Sequence, residues 1–485
     1  MTIARSGADE LAALDATEQA ELVRRGELSP KDLVSRAIER IERLNSTLGA
    51  VIHEHFERAL DEAAHGPPDG PFRGVPFLLK DLAGGYRQGD PNHWGTRFLR
   101  DAGYRAPRTA YLVEKFERAG LVVVGRSNVP ELGAWTTTEP ESTGPARNPW
   151  NPAHSCGGSS GGAAAAVASG MVPLAHASDG GGSIRNPASQ AGLLGLKPTR
   201  GRISLGPDVG EDWAGMTFEF ALTKSVRDTA TLLDAVEGSM PGDPYQVPPP
   251  RRPYRQEVGA DPGSLRVGIW TEVPDVEVAG VCREAASAAA AQLEQLGHRV
   301  EPDRPTALGD PGLAPHVLNV IASSQARLVE ELGGWIGREI GPGDMDVDNW
   351  AVTEIGRGVT ATAYLAAVHY YHGFQRRVAA WWAGGFDLLV TPSLPEPPPP
   401  LGVLVPKPDE PLAGFIRSGQ LTHFLLPFNI TGQPAISVPF AWTDDGLPVG
   451  VQLVADFGRE DLLLRVAAQL EEAHPWRDRR PSVFA

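Results

Sequence analysis

Cysteine is nearly missing from this chain of 485 residues: Cys156 and Cys282 are the whole supply. Two thiols cannot build a disulfide scaffold, and their scarcity suits a reducing, cytoplasmic setting. No cysteine pair has metal-ligand spacing, and no metal or other cofactor is expected. Long apolar runs are missing too. None reaches the ~18 residues that mark a membrane-spanning helix, so no membrane partner is expected. The opening residues MTIARSGADELAALD lack the apolar stretch of a signal peptide. Positive charge is in deficit, with 44 Lys and Arg against 60 Asp and Glu, a formal net charge of −16. A field of that sign opposes nucleic acid as a partner. No tandem repeat of ~20–50 residues is visible.

What remains is the composition of a globular chain, 41% hydrophobic and 21% charged. Residues 8–64 read as helical. In ELSPKDLVSRAIERIERLN, Leu33, Ile38, Ile41 and Leu44 fall at roughly helical spacing, and Ser29 with Pro30 makes an N-cap and first turn. A turn-rich break, HGPPDGP, follows. Then short apolar runs alternate with helices: GVPFLLKD and LVVVGRSN, later RVGIWTE, ISVPFAW and PVGVQLVA as strands. Helices are expected over 277–297, within 310–382 and in REDLLLRVAAQLEEA. This alternation predicts an α/β sheet protein. Residues 241–264 read as an exposed connector, and SLPEPPPPLGVLVPKP as an extended tract.

The densest glycine and serine lie in SCGGSSGGAAAAVASGMVPLAHASDGGGSIRNP, residues 155–187. A flexible linker is one reading. The apolar block AAAAVASGMVPLAHA argues against it, because it predicts a buried helix followed by a strand. A phosphate loop is a second reading, but GxxxxGK[ST] is absent and no lysine follows either glycine knot. A third is an esterase elbow with a distant histidine such as His423; His369 and His372 read as ordinary helix residues. A fourth is a serine nucleophile with a lysine base.

Here the motifs become specific. GVPFLLKDL, GRSNVPELG, GGSSGG, SDGGGSIRNPASQAGLLGLKPTRGRIS, ALTKSVRDTATLLDA, FNITGQPAISVP and DGLPVGVQLV occur in this order across nearly the whole chain. Together they resemble the amidase signature family. The resemblance implies an α/β fold with a central twisted mixed β-sheet covered by α-helices on both sides. It also implies one amidase domain over 1–485: N-terminal helices (1–64), a signature core (65–240), a more variable, largely helical substrate-side region (241–385) and a C-terminal part of the core (386–485).

The resemblance assigns a Ser–cisSer–Lys triad. Lys80, in the K-D dipeptide, matches the base. Ser183, closing DGGGS, matches the nucleophile. Ser159, 24 residues upstream, matches the bridging serine, with the Gly158–Ser159 peptide cis. An amide is a poor electrophile, and a serine hydroxyl needs a base to attack it. A lysine serves only when burial strips its proton, so Lys80 is expected buried and neutral. Backbone N–H groups of Gly180, Gly181, Gly182 and Ser183 are expected to hold the oxyanion. Ser160, Asp179 and Arg185 are expected to support the loop. Asp81, Ser155 and Ser178 are expected to be structural, and Ser169 to be a small helix residue.

Two departures stand out. SCGG replaces the commoner SPGG, and Cys156 is expected to be a small buried residue rather than a second nucleophile. Ala191 stands where many members have cysteine. The segments GPDVGEDWAGM and VTEIGRGVTATAYLAAVHYYHGFQRR look most like members acting on cyclic or linear nylon-type oligomers and aryl amides, and some relatives cleave carbamates or esters. Trp135, Trp213, Phe424 and the 315–325 helix are the candidate pocket walls. The expected partner is a small neutral amide or carbamate, with a homodimer left open. A different-class alternative is the glutaminase subunit of a tRNA-dependent amidotransferase, whose triad would be identical.

Overall fold

The computed structural model describes residues 9–407 and 409–485. The helix Pro30–Leu48 shows how local sequence sets the elements. The Ser29 hydroxyl accepts the Asp32 N–H, and the Asp32 carboxylate accepts the Ser29 N–H in return. This capping box satisfies two end donors that the helix itself leaves unpaired. Gly49, at φ +58°, ends the helix. The stripe Leu33, Ile38, Ile41 and Leu44 is buried, as the spacing predicts.

One eleven-stranded mixed sheet organises the chain. Its strands are β1 (Val51–Glu54), β2 (Pro76–Lys80), β3 (Val122–Ser127), β4 (Leu174–Asp179), β5 (Leu194–Lys197), β6 (Phe218–Thr223), β7 (Arg266–Ile269), β8 (Arg299–Glu301), β9 (Leu388–Pro392), β10 (Ala435–Trp442) and β11 (Pro448–Ala455). They lie in the order β1-β3-β2-β4-β6-β5-β10-β11-β9-β7-β8. β2 runs parallel to both β3 and β4, and β7 parallel to β8 and β9; the other pairs are antiparallel. Every residue of β2, β3, β4, β5, β6 and β9 is buried. Successive side chains alternate between faces, so full burial means helices cover both faces. Helix Gly161–Ala168 is the extreme case: all eight residues are buried, and their small side chains let it pack close to the sheet.

One expectation needs correction and two gain detail. β1 interrupts the helical reading of 8–64, because Val51 to Glu54 pair with β3 at the sheet edge. The helical reading within 310–382 resolves into three helices, Leu313–Ile336, Val347–Gly358 and Ala361–Ala383. The 241–385 region supplies β7, the strand expected in RVGIWTE, and also β8, which was not expected; together they complete the far edge. Among the described residues no helix is long and apolar enough to cross a membrane.

Candidate active site

β2 ends at Lys80, and neighbouring β4 ends at Asp179, so two parallel strands deliver two site residues to one edge. Lys80 is fully buried. Its Nζ lies 2.8 Å from Ser159 Oγ, 2.9 Å from Ser160 Oγ and 2.8 Å from Ser178 Oγ. Ser178, expected to be structural only, is therefore a third direct partner of the lysine. The Ser160 hydroxyl donates to the Ser178 carbonyl at 3.3 Å, so toward Lys80 it accepts. Three oxygens suit the three N–H bonds of an ammonium. A neutral amine has two, and its lone pair then takes a proton offered by Ser159 or Ser178. Burial, opposed by Glu219 and Asp179, pushes the Lys80 amine down to about 7.

The Gly158–Ser159 peptide is cis. A Cβ on Gly158 would stand 2.5 Å from the Thr137 carbonyl oxygen and 2.6 Å from that of Trp135, so only glycine fits. Asn186, the second residue of helix Arg185–Ala191, donates its amide to the Gly158 and Thr136 carbonyls, both at 2.9 Å. These two hydrogen bonds from one amide tie the segment after Ser183 to the one that carries Ser159.

Asp179 and Arg185 are both wholly buried and form a two-point pair, Nε to Oδ2 at 2.9 Å and a terminal nitrogen to Oδ1 at 3.0 Å. Asn429 donates to the same carboxylate at 2.8 Å, and Arg185 also reaches Gln452 at 2.8 Å. Burial alone would raise the Asp179 carboxyl; the Arg185 guanidinium and the Asn429 amide outweigh it and hold it down at about 2. Both supporting residues thus staple the glycine knot to FNITGQP and GVQLV. Asn429 and Gln452 had no assigned role, although both lie inside motifs already singled out.

The knot itself departs from expectation at one position. The Gly182 N–H donates to Asp179 at 2.6 Å and is engaged. The N–H groups of Gly180, Gly181 and Ser183 bond to no described residue. Ser183 is half-buried, and its hydroxyl makes no hydrogen bond among the described residues. The structure therefore joins Lys80 to Ser159, Ser160 and Ser178, and leaves the Ser183 hydroxyl without a hydrogen-bond partner among the described residues.

The wall candidates separate. Trp213 is half-buried, and its ring would lie 3.1 Å from a Cβ on Gly180, directly against the knot. Trp135 is buried in one apolar cluster with Ala322 of helix Leu313–Ile336 and with Val352. Phe424 is wholly buried and packs edge-on to Trp270, 4.8 Å between centroids, which makes it a core residue. His423 packs on the same Trp270. Cys156 is buried, donates weakly to the Ala146 and Gly161 carbonyls, and has its thiol pushed far up by burial, so it is a small core residue.

A sequence profile of the amidase family matches residues 32–464. The chain belongs to the amidase signature family. It is 45% identical over 479 residues to a 6-aminohexanoate-cyclic-dimer hydrolase from Pseudomonas sp. (strain NK87), covering 97% of each chain. The solved structure of a 6-aminohexanoate cyclic dimer hydrolase complexed with substrate superposes with a TM-score of 0.94 at 44% identity, covering 98% of this chain and all of that one. A bacterial aryl acylamidase of the amidase signature family superposes with a TM-score of 0.85 at 26% identity, over 96% and 97% of the two chains. This amidase is accordingly a C–N amide hydrolase with the family's α/β fold.

Proposed function

We propose that the enzyme hydrolyses a small neutral amide of the nylon-oligomer type, cyclic or linear, through an acyl-enzyme on Ser183. The observation that carries the reading is the buried Lys80 amine held at 2.8 Å from the hydroxyl of Ser159, which follows a cis peptide. The likeness over the full length to cyclic-dimer hydrolases supports the substrate class. We also read the chain as one amidase domain, since its sheet takes strands from Val51 to Ala455.

Ser183 Oγ attacks the amide carbon. Its proton passes to Ser159, whose own proton passes to Lys80. The Ser183 leg must close during the reaction, as catalytic hydrogen bonds commonly do. The oxyanion takes the free N–H groups of Gly180, Gly181 and Ser183. Lys80, now an ammonium, is met by three hydroxyl oxygens. As the C–N bond breaks, the relay returns the proton to the departing amine. Water then adds to the ester through the same relay, releasing the acid and restoring Ser183.

Labelling by a fluorophosphonate tests the assignment. Ser183→Ala should abolish it with the fold intact, and full labelling of that variant would overturn the nucleophile. A hydrolysis screen over lactam oligomers, anilides, aliphatic amides, carbamates, esters and glutamine tests the substrate class. Turnover of glutamine alone would favour the amidotransferase reading.

A further inference from the structure

We propose that His176 and Glu219 are positioning residues for the Lys80 base, the Glu219 carboxylate setting from behind how tightly that amine holds its proton. This rests on the reading of Lys80 as the base. His176 is wholly buried on β4, two residues before Ser178. Its Nδ1 accepts the backbone N–H of Lys80 at 3.2 Å. That bond leaves the ring proton on Nε2, which donates to Glu219 Oε2 at 2.7 Å. Glu219 lies on β6 directly opposite Ser178. The chain therefore runs from the lysine's own backbone, through one imidazole, to one carboxylate.

The turn after β2 is shaped around this pair. A Cβ on Gly84, at φ +75°, would stand 2.4 Å from the Glu219 carboxyl carbon. One on Gly85 would stand 2.9 Å from His176 Nδ1. Side chains are excluded at two consecutive positions where the imidazole and carboxyl sit.

The charges around the site single out Glu219. Asp81 is paired with Arg126, Asp179 with Arg185, and Asp212 lies 3.8 Å from Arg327. Glu219 has no arginine or lysine at ion-pair distance among the described residues; its partner is the neutral ring of His176. Burial and the nearby Lys80 and Arg126 charges keep that ring from taking a second proton. Burial pushes the Glu219 carboxyl well above its usual range, the Lys80 charge pulls it back down and Asp212 pushes it further up, so Glu219 and Lys80 compete for one proton and the His176 N–H favours the carboxylate. A lysine stripped of its proton by burial alone becomes too weak a base to accept one from serine. A carboxylate on the strand position opposite Ser178, which itself touches the amine, offsets part of that effect without pairing directly and fixing the ammonium.

The test is the acid limb of kcat/KM against pH. Glu219→Gln removes the charge and should shift the limb to lower pH by about one unit, with kcat reduced. Glu219→Asp keeps the charge and should leave the limb within a few tenths of the wild type. His176→Phe, which removes the N–H supporting the carboxylate, should shift it the same way as Gln. A merely structural pair would lower activity or thermal stability and leave the limb in place, and that outcome overturns the proposal. Should Glu219→Gln not fold, direct titration of Lys80 by NMR with labelled lysine, in wild type and His176→Phe, decides the same point. Fluorophosphonate labelling separates the two levels. Labelling that survives Ser183→Ala sinks the reading of the site, whereas labelling confined to Ser183 with an unmoved limb sinks this inference alone.

Discussion

Asp179→Asn is the sharpest probe of how the nucleophile loop is held. Oδ1 of Asp179 accepts from Gly182, Asn429 and Arg185, and Oδ2 from Ile184 and the Arg185 Nε. Asparagine keeps the shape but puts an NH2 where one oxygen was, so donor faces donor at Arg185. Titration sets one measure of the cost. A carboxyl held at about 2 instead of 3.8 contributes about 2 kcal/mol at neutral pH, present above pH 4 and lost as pH falls through 2. The second measure is larger, about 3–5 kcal/mol for orphaning one half of a buried pair. We favour the larger, because titration leaves Arg185 its other partners while the amide actively opposes it. For a chain of this size that is a fall of about 3–5 °C in Tm.

The activity loss should exceed what stability explains. With the side-chain NH2 set against Arg185, the one remaining oxygen is pushed off the Gly182 N–H, and the neighbouring N–H groups lose their common aim. A loss of about 100- to 1000-fold in kcat is expected. The double variant Asp179→Leu with Arg185→Met removes both charges and should recover most of the Tm, since apolar replacements of buried pairs are often neutral or better. It should not recover activity. Thermal unfolding and fluorophosphonate labelling rates measure the two effects separately. The reasoning fails if Asp179→Asn labels at the wild-type rate, or if the double variant regains labelling in step with Tm.

Two further outcomes are expected. The wild-type kcat/KM should rise tenfold per pH unit below about 7 and level off above it, as Lys80 sheds its proton; a flat profile from weakly acid to alkaline pH would remove the lysine base. Asp348 is wholly buried with Oδ2 unpartnered, and burial pushes its carboxyl up to about 7 against the Asn349 N–H that favours the anion. Its raised value means stability is lost as pH climbs from about 4 through 7. Asp348→Asn should flatten that fall and gain up to about 4 kcal/mol at pH 8, read by denaturant unfolding at pH 5 and pH 8; parallel slopes in both proteins would refute it.

Local signals were legible where the physics is local. The Ser29 cap, the apolar stripe behind it and the all-apolar helix after GGSSGG follow from spacing within one element. β5 and β6 were not read, because four and six residues inside a fully buried sheet carry no alternation to betray them. β1 was lost for a different reason: a four-residue edge strand sits between two good helices. Lys80, Ser159 and Ser183 stand out in the sequence through motif order rather than through any property of the residues themselves, and the structure sets the first two 2.8 Å apart. The contact of Ser178 with Lys80 is not legible in the sequence, because it depends on which strand lies beside β2.

β4 shows why that neighbour matters so much. Its residues alternate, so His176 and Ser178 turn one way and Asp179 the other. The first two meet Lys80, at its backbone N–H and at its amine; the third meets Arg185 and the glycine knot. One strand end thus holds Lys80 from one face and the glycine knot before Ser183 from the other. A single-residue slip of β4 against β2 would exchange these faces, and all three contacts would be lost together. The burial of both faces is what forbids the slip. The chemistry at Lys80 therefore depends on apolar residues far from it, such as Leu174 and Ala175 pairing with Phe77 and Leu78, as much as on the serines it touches.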